Sequence, residues 1–158
     1  MKEKKTGNIN AIAEEFIWED AAGLITKELG KSVGSGKLYA NMDSIPPGAY
    51  STKYHSHSQQ EEFFYVLQGT GTLRFNDRIT EVKPGDFICK PSGDKDAHTF
   101  YNSGADNLLI LDIGTVEKED ICYYPDEDVY MVKSNDDRMI IRKEALTHDW
   151  DSEPNKND

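Results

Sequence analysis

Between Lys37 and Thr115 the sequence alternates short runs rich in β-branched and aromatic residues with turn residues, at intervals of about 8–12 residues. Asn76-Asp77 separates two of these runs and predicts a tight two-residue hairpin, because both residue types tolerate a positive φ. Such spacing predicts an all-β sandwich or barrel. The candidate strands are 37–45, 49–57, 61–68, 70–75, 78–83, 85–90, 97–103 and 107–115.

The two ends of the chain have a different pattern. Before Lys37, apolar residues at spacings of three and four predict one or two short helices, followed by a Gly/Ser linker. Those apolar residues are Ile9, Ile12, Phe16, Ile17, Leu24, Ile25 and Leu29. After Thr115 we expect an acidic, solvated loop and two further strands, 128–133 and 138–142. The predicted organisation is an N-terminal helical segment and linker (1–36), a β-barrel (37–116), a C-terminal extension packing on the barrel (117–148) and a disordered tail (149–158).

The charge of the chain excludes some classes of partner. Its 18 basic and 29 acidic residues give a net charge of −11, which argues against binding to nucleic acid or to an anionic membrane surface. No apolar run approaches the roughly 20 residues of a membrane span, and no signal peptide is evident, so we expect a cytoplasmic protein. Most of the acidity lies in 117–128 (net −5) and 149–158 (net −3). The net charge therefore says little about a pocket in the barrel.

Three of the four histidines fall in the β-rich region, together with a carboxylate. His55 and His57 are two residues apart in a strand-like run, so their side chains point the same way. Glu61 and Glu62 begin the next run, and His98 lies in a later one. Three imidazoles and one carboxylate would suit a divalent transition metal: Fe(II), Mn(II), Ni(II), Co(II) or Zn(II). An isolated His-x-His pair is more often solvated surface, so the surrounding spacing has to decide.

That spacing resembles the two signature motifs of the cupin superfamily. The first motif reads GAYSTKYHSHSQQEEFFYVLQG from Gly48 to Gly69, and the second reads GDFICKPSGDKDAHTFYN from Gly85 to Asn102. Two gaps are longer than in the family pattern: six residues instead of five before His55, and four instead of two before His98. The spacing after His57 matches Glu62, not Glu61, to the family's carboxylate ligand.

The resemblance implies a double-stranded β-helix, which is a jelly-roll or cupin barrel, with a metal near one open end. It implies His55, His57, Glu62 and His98 as the metal ligands. Small cupins commonly pair through a barrel edge, so the resemblance also implies a homodimer. An open jelly-roll leaves edge strands that need covering.

Alternation along the predicted strands suggests the neighbours of this metal. If Glu62 points inward, Phe64 and Val66 do so too, and Phe100 follows His98 in the same way. Phe64, Val66 and Phe100 are therefore candidates for the substrate pocket, although plain barrel core is the simpler interpretation. On strand 37–45 either Tyr39, Asn41 and Asp43 or Leu38, Ala40 and Met42 face inward, and the pattern leaves both open. His148 is expected at the surface, and Cys89, in an apolar run, is expected to be buried.

The sequence favours metal chemistry but names no reaction. It contains no nucleophile elbow and no phosphate-binding glycine loop, so the metal would have to perform the difficult step. We expect a metal-dependent enzyme acting on a small oxygen-rich ligand, of the dioxygenase or sugar isomerase/epimerase type, with its catalytic residues unassigned. The alternative is a non-catalytic module that binds a small molecule. Few acid or base groups are predicted near the metal, which supports that alternative.

Overall fold

A computed structural model describes residues 5–19, 22–93 and 95–147. His148 and the predicted tail 149–158 lie outside the described residues. Thirteen strands dominate the described part of the chain, which confirms the all-β prediction. The strands are β1 (Glu15–Glu19), β2 (Ala22–Glu28), β3 (Leu38–Ile45), β4 (Ser56–His57), β5 (Glu62–Gln68), β6 (Gly71–Phe75), β7 (Arg78–Val82), β8 (Phe87–Lys90), β9 (His98–Tyr101), β10 (Leu108–Thr115), β11 (Glu119–Tyr124), β12 (Val129–Ser134) and β13 (Asp137–Arg142).

The strands form three antiparallel sheets with jelly-roll connectivity. One sheet has the order β1-β2-β3-β10-β5-β8, the second β13-β12-β11-β4, and the third β7-β6-β9. Isolated bridges link the sheets: His55 pairs with His98, and Tyr50 pairs with both Ala22 and Tyr101. The hydrophobic core includes Val66, Phe100 and Ile110, each at most 2% exposed. Phe100 and Ile110 also line a cavity that contains polar side chains from the same sheets.

The N-terminal helical prediction is wrong. The apolar residues between Phe16 and Ile25 lie in a hairpin of β1 and β2, and β2 pairs with β3. Within the described residues before β3, helix is confined to a 3₁₀ turn at Ile9–Ala11 and one turn, α1, at Leu29–Ser32. The free edge of β3 supplies hydrogen-bond partners to this segment, and that tertiary pairing overrides the weak helical periodicity. No helix among the described residues is long and apolar enough to span a membrane.

The predicted turn at Asn76-Asp77 is confirmed, because both residues have positive φ (48° and 61°) between the paired strands β6 and β7. The acidic segment, by contrast, is not simply a loop. Its residues 119–124 form β11, which pairs with β4 on one side and β12 on the other. The following turn is tied to β6, where Arg74 Nη1 lies 2.6 Å from Asp126 Oδ2.

Candidate metal centre

Four side chains from three segments of the chain converge inside the barrel. His57 is on β4, Glu62 begins β5 and His98 begins β9, while His55 is held beside His98 by the bridge between their backbones. The Nε2 atoms of His55 and His57 are 3.0 Å apart. Glu62 Oε1 is 3.7 Å from His57 Nε2, and Glu62 Oε2 is 3.7 Å from His98 Nε2. All four residues are at most 8% exposed, so the cluster is buried as well as compact.

The tautomers of two of these imidazoles are fixed by their outer contacts. His55 Nδ1 is 2.7 Å from the backbone carbonyl oxygen of Lys53, and His57 Nδ1 is 2.5 Å from Asp120 Oδ2. Both partners accept hydrogen bonds, so each Nδ1 carries a hydrogen and each Nε2 is turned towards the interior of the cluster. Burial, together with the neighbouring His57, lowers the pKa of His55 to about 4, so this ring is neutral at pH 7. The Nε2 atom of neutral His55 therefore carries a lone pair and lies 3.0 Å from Nε2 of His57.

That arrangement fits a cation. Two ligand atoms at about 2.1 Å from a metal and at right angles to each other lie about 3.0 Å apart. The donor set of imidazole nitrogen and carboxylate oxygen is the one that divalent transition metals take. The ligand atoms of His55, Glu62 and His98 all lie within 4.8 Å of one another.

Asp120 orients His57 from behind. Its Oδ1 accepts hydrogen bonds from the backbone N–H groups of Ser58 (3.0 Å) and Gln59 (2.8 Å) and from the Ser58 hydroxyl (3.0 Å). Burial alone would raise the pKa of Asp120, but hydrogen bonds from His57 and Gln59 bring it below its usual range. Cys122 Sγ lies 3.5 Å from Asp120 Oδ2, and burial raises the pKa of this thiol to about 12. Asp120 thus remains an anion and Cys122 a thiol, an arrangement that supports His57 rather than forming a second centre.

Glu62 has a buried cation beside it that the sequence analysis missed. Lys90 is fully buried, and its Nζ is 2.8 Å from Glu62 Oε2 in an ion pair without hydrogen-bond geometry. Burial would raise the pKa of Glu62, but His98 and Lys90 bring it down to about 2. The predicted burial of Cys89 is wrong, since this residue is exposed. Lys90 is paired with the inward-facing Glu62 of β5, so Lys90 faces inward and its neighbour Cys89 faces outward.

A second polar group connects to the same carboxylate. The Tyr39 hydroxyl lies 3.1 Å from both Glu62 Oε1 and Asp112 Oδ1, and Asp112 and Asp43 are diagonal neighbours on the paired strands β10 and β3. Burial raises the pKa of Asp43 to about 6, and burial with the nearby Asp43 charge raises that of Asp112 well above its usual range. Both carboxyl groups therefore keep a proton at higher pH than an exposed carboxylate does. The sequence left two faces of β3 possible, and in the structure Tyr39, Asn41 and Asp43 are the residues that face the cavity.

These groups line one cavity of about 590 Å³. Phe64 and Phe100 form an apolar part of its wall, with the Phe64 ring 5.0 Å from that of His98. Val66, the third predicted pocket residue, lies in the hydrophobic core and does not line this cavity. The residues around the cavity are Ile17, Leu24, Glu28, Tyr39, Asn41, Asp43, Ile45, Ser51, Thr52, His55, His57, Gln60, Glu62, Phe64, His98, Phe100, Ile110, Asp112, Lys133 and Arg138.

A jelly-roll barrel with a buried histidine–glutamate cluster defines the class of this protein, and comparison with known proteins gives its family. Residues 41–114 match the cupin domain profile. An oxalate-binding protein from Thermotoga maritima is 32% identical over 92 residues, which are 58% of this chain and 71% of that protein. The chain belongs to the cupin family.

Two solved structures extend the similarity beyond the barrel motifs. A putative sugar phosphate isomerase from Acidithiobacillus ferrooxidans superposes with a TM-score of 0.85 at 30% identity, covering 88% of this chain and 90% of that one. A cupin-superfamily sugar phosphate isomerase from Silicibacter pomeroyi superposes with a TM-score of 0.80 at 25% identity, covering 89% and 96%. The similarity therefore includes segments on both sides of the matched cupin domain.

Proposed function

We propose that this protein is a metal-dependent isomerase that moves a proton between adjacent carbons of a small hydroxy-carbonyl compound such as a sugar derivative. The observation that carries the proposal is the pair of carboxyl groups of Asp43 and Asp112, which are neighbours on paired strands and line the same cavity as the histidine–glutamate cluster. Isomerisation needs a group that takes a proton and a group that gives one. One protonated and one ionised member of the pair would supply both.

The proposed ligands of the metal are His55, His57, Glu62 and His98, and Fe, Mn, Ni, Co and Zn all suit these donors. A bound metal would polarise the carbonyl oxygen of the substrate and lower the barrier to losing a proton from the neighbouring carbon. Phe64 and Phe100 would exclude water from one side of the reacting carbons.

The carboxyl pair would transfer every proton of the reaction and return to its starting protonation state. In the first half, its anionic member takes the proton from the hydroxyl-bearing carbon and its protonated member gives a proton to the carbonyl oxygen. In the second half, the carboxyl that gained the carbon proton delivers it to the former carbonyl carbon, and its partner takes the proton of the original hydroxyl group. Tyr39 bridges Asp112 and Glu62 and so fixes the pair relative to the proposed metal.

The relatives agree with a small, oxygen-rich ligand. Two solved structures that match most of this chain carry the name sugar phosphate isomerase, and a relative is named for oxalate binding. The last name supports the alternative proposal, a module that binds a small molecule without converting it.

Proton exchange with solvent is the direct test. Protein reconstituted separately with Fe(II), Mn(II), Ni(II), Co(II) or Zn(II) would be incubated in D₂O with a panel of aldoses, ketoses and their phosphates. We expect deuterium, detected by NMR, at the carbon next to the carbonyl, and its loss in the Asp43→Asn/Asp112→Asn double variant. Asp106→Asn, at an exposed carboxylate, is the matched control. Binding of these compounds without exchange would support the binding module, and metal-dependent consumption of dioxygen would support a dioxygenase.

A further inference from the structure

The C-terminal hairpin brings two cations to the cavity of the proposed metal centre. On the sheet formed by β11, β12 and β13, Asp120 pairs with Lys133, and Lys133 pairs with Arg138. Directly paired residues share a face of the sheet, so this row of side chains begins behind His57 and ends at the edge strand β13. Two strand steps correspond to roughly 10 Å. Lys133 and Arg138 both line the cavity that contains the histidines.

The described residues supply no partner for this pair of cations. Like charges placed directly opposite each other on adjacent strands are destabilising. Among the described residues, neither side chain has an ion-pair or hydrogen-bond partner. Asp120, the nearest acid in the row, uses its oxygens for His57, Ser58 and Gln59. The positive charge is therefore available to a ligand, on a chain whose net charge is −11.

The remaining cavity walls indicate how such a ligand would lie. The histidine–glutamate cluster and the carboxyl pair line the buried part of this cavity, where a hydroxy-carbonyl group would react. Lys133 is half-buried and Arg138 is exposed, so these two cations lie on its more accessible side. An arginine fork binds two oxygens of a phosphate or a carboxylate, and a lysine adds a point charge.

We infer that Lys133 and Arg138 form a subsite for the anionic group of the substrate, whose other end reaches the metal centre. The inference rests on the proposed function and narrows its substrate class to anionic sugar derivatives. The shared chemistry is a group with several equivalent anionic oxygens, either a phosphate ester or a carboxylate.

The test compares matched ligands on matched variants. Metal-reconstituted protein would be titrated calorimetrically with ribose 5-phosphate, glucuronate and ribose, at low and at high salt. We expect at least one anionic sugar to bind at least about tenfold more tightly than ribose, with a preference that salt weakens. Preference for ribose 5-phosphate identifies a phosphate subsite, and preference for glucuronate identifies a carboxylate subsite.

The Lys133→Met/Arg138→Gln variant should lose this preference and leave the affinity for ribose unchanged. Arg142→Gln is the control, because Arg142 lies on the same strand opposite an apolar residue, Val129. Equal affinity for charged and neutral sugars in the wild type, or an unchanged preference in the double variant, overturns the subsite. If anionic sugars bind through these residues but no deuterium exchange occurs, the subsite stands and the isomerase proposal fails.

Discussion

Asp120 Oδ2 accepts a hydrogen bond from His57 Nδ1 at 2.5 Å, although the two residues are 63 positions apart. The contact exists because β11 pairs with β4. Through this contact the acidic segment 117–128 orients the imidazole of His57 so that its Nε2 faces the other proposed ligands.

Replacing Asp120 with Asn should weaken metal binding by about 10–100-fold. The neutral amide lacks the negative charge that makes the Nε2 of His57 a stronger electron-pair donor to the metal. Competition titration against a metal-binding dye would measure it. Asp126 lies in the same segment but forms a surface ion pair with Arg74. Asp126→Asn should therefore leave the metal affinity unchanged. An unaltered affinity in the Asp120 variant would remove Asp120 from the site.

Lys90→Met should change metal affinity in the opposite direction. Removing a buried cation beside Glu62 reduces its repulsion of a bound divalent ion, so affinity should rise by on the order of tenfold. Without metal, the same variant leaves Glu62 with less compensation and should lose about 3 kcal/mol of unfolding free energy. Denaturation with and without metal measures both effects, with the exposed Lys83→Met as control. Weaker metal binding would show that Lys90 organises the site rather than opposing the cation.

The carboxyl pair should make metal-free protein less stable as pH rises. The folded-state pKa of Asp43 is about 6 against an ordinary value of 3.8, so between these values the folded state binds more protons than the unfolded state. The unfolding free energy of the metal-free protein therefore falls as pH rises from about 4 to about 6, and it stays at the lower value above pH 6. In the presence of a chelator, Asp43→Asn should be more stable than wild type at pH 8 by on the order of 2 kcal/mol, and this advantage should shrink towards pH 4. Urea unfolding at several pH values tests this, and a pH-independent difference would contradict it.

Gly114 allows Tyr39 to reach the carboxylates. The two residues are paired between β10 and β3, and a Cβ on Gly114 would lie 2.5 Å from atoms of the Tyr39 ring. Gly114→Ala should displace the ring, cost about 1–3 kcal/mol and reduce deuterium exchange in the assay above. Gly36→Ala meets nothing within 4 Å and should have little effect on either measurement. Normal exchange by a destabilised Gly114 variant would show that the position of Tyr39 is not needed.

The edge strand β1 is the expected dimer contact. Phe16 and Ile17 on it are 66% and 54% exposed, and an apolar edge strand favours pairing with another chain. Light scattering should give a dimer for the wild type and a monomer for Ile17→Lys. Ile79→Lys, at a residue 72% exposed on β7, should remain dimeric. A monomeric wild type would refute the homodimer.

The local motifs predicted much of the barrel. Turn residues such as Asn76-Asp77 act through their own φ preferences, so the hairpin between β6 and β7 could be predicted without any partner. The two motifs around His55 and His98 likewise identified the family, because their spacing is a property of the chain itself.

Other features depended on pairing between distant strands. The apolar spacing from Phe16 to Ile25 suited a helix until the edge of β3 offered hydrogen bonds to a strand. Alternation along β3 and β8 was visible, but a shift of one residue reverses every side chain, and only pairing with neighbouring strands fixes which face is buried.

The sequence by itself determined the all-β class, the cupin family and the residue types proposed to bind a metal. The tertiary structure alone decided that Asp120, Lys90 and the Asp43–Asp112 pair surround those residues. Each of these groups reaches the site across a sheet rather than along the chain. A buried charge is stable only where partners from other strands compensate it, and no local pattern records where those partners are.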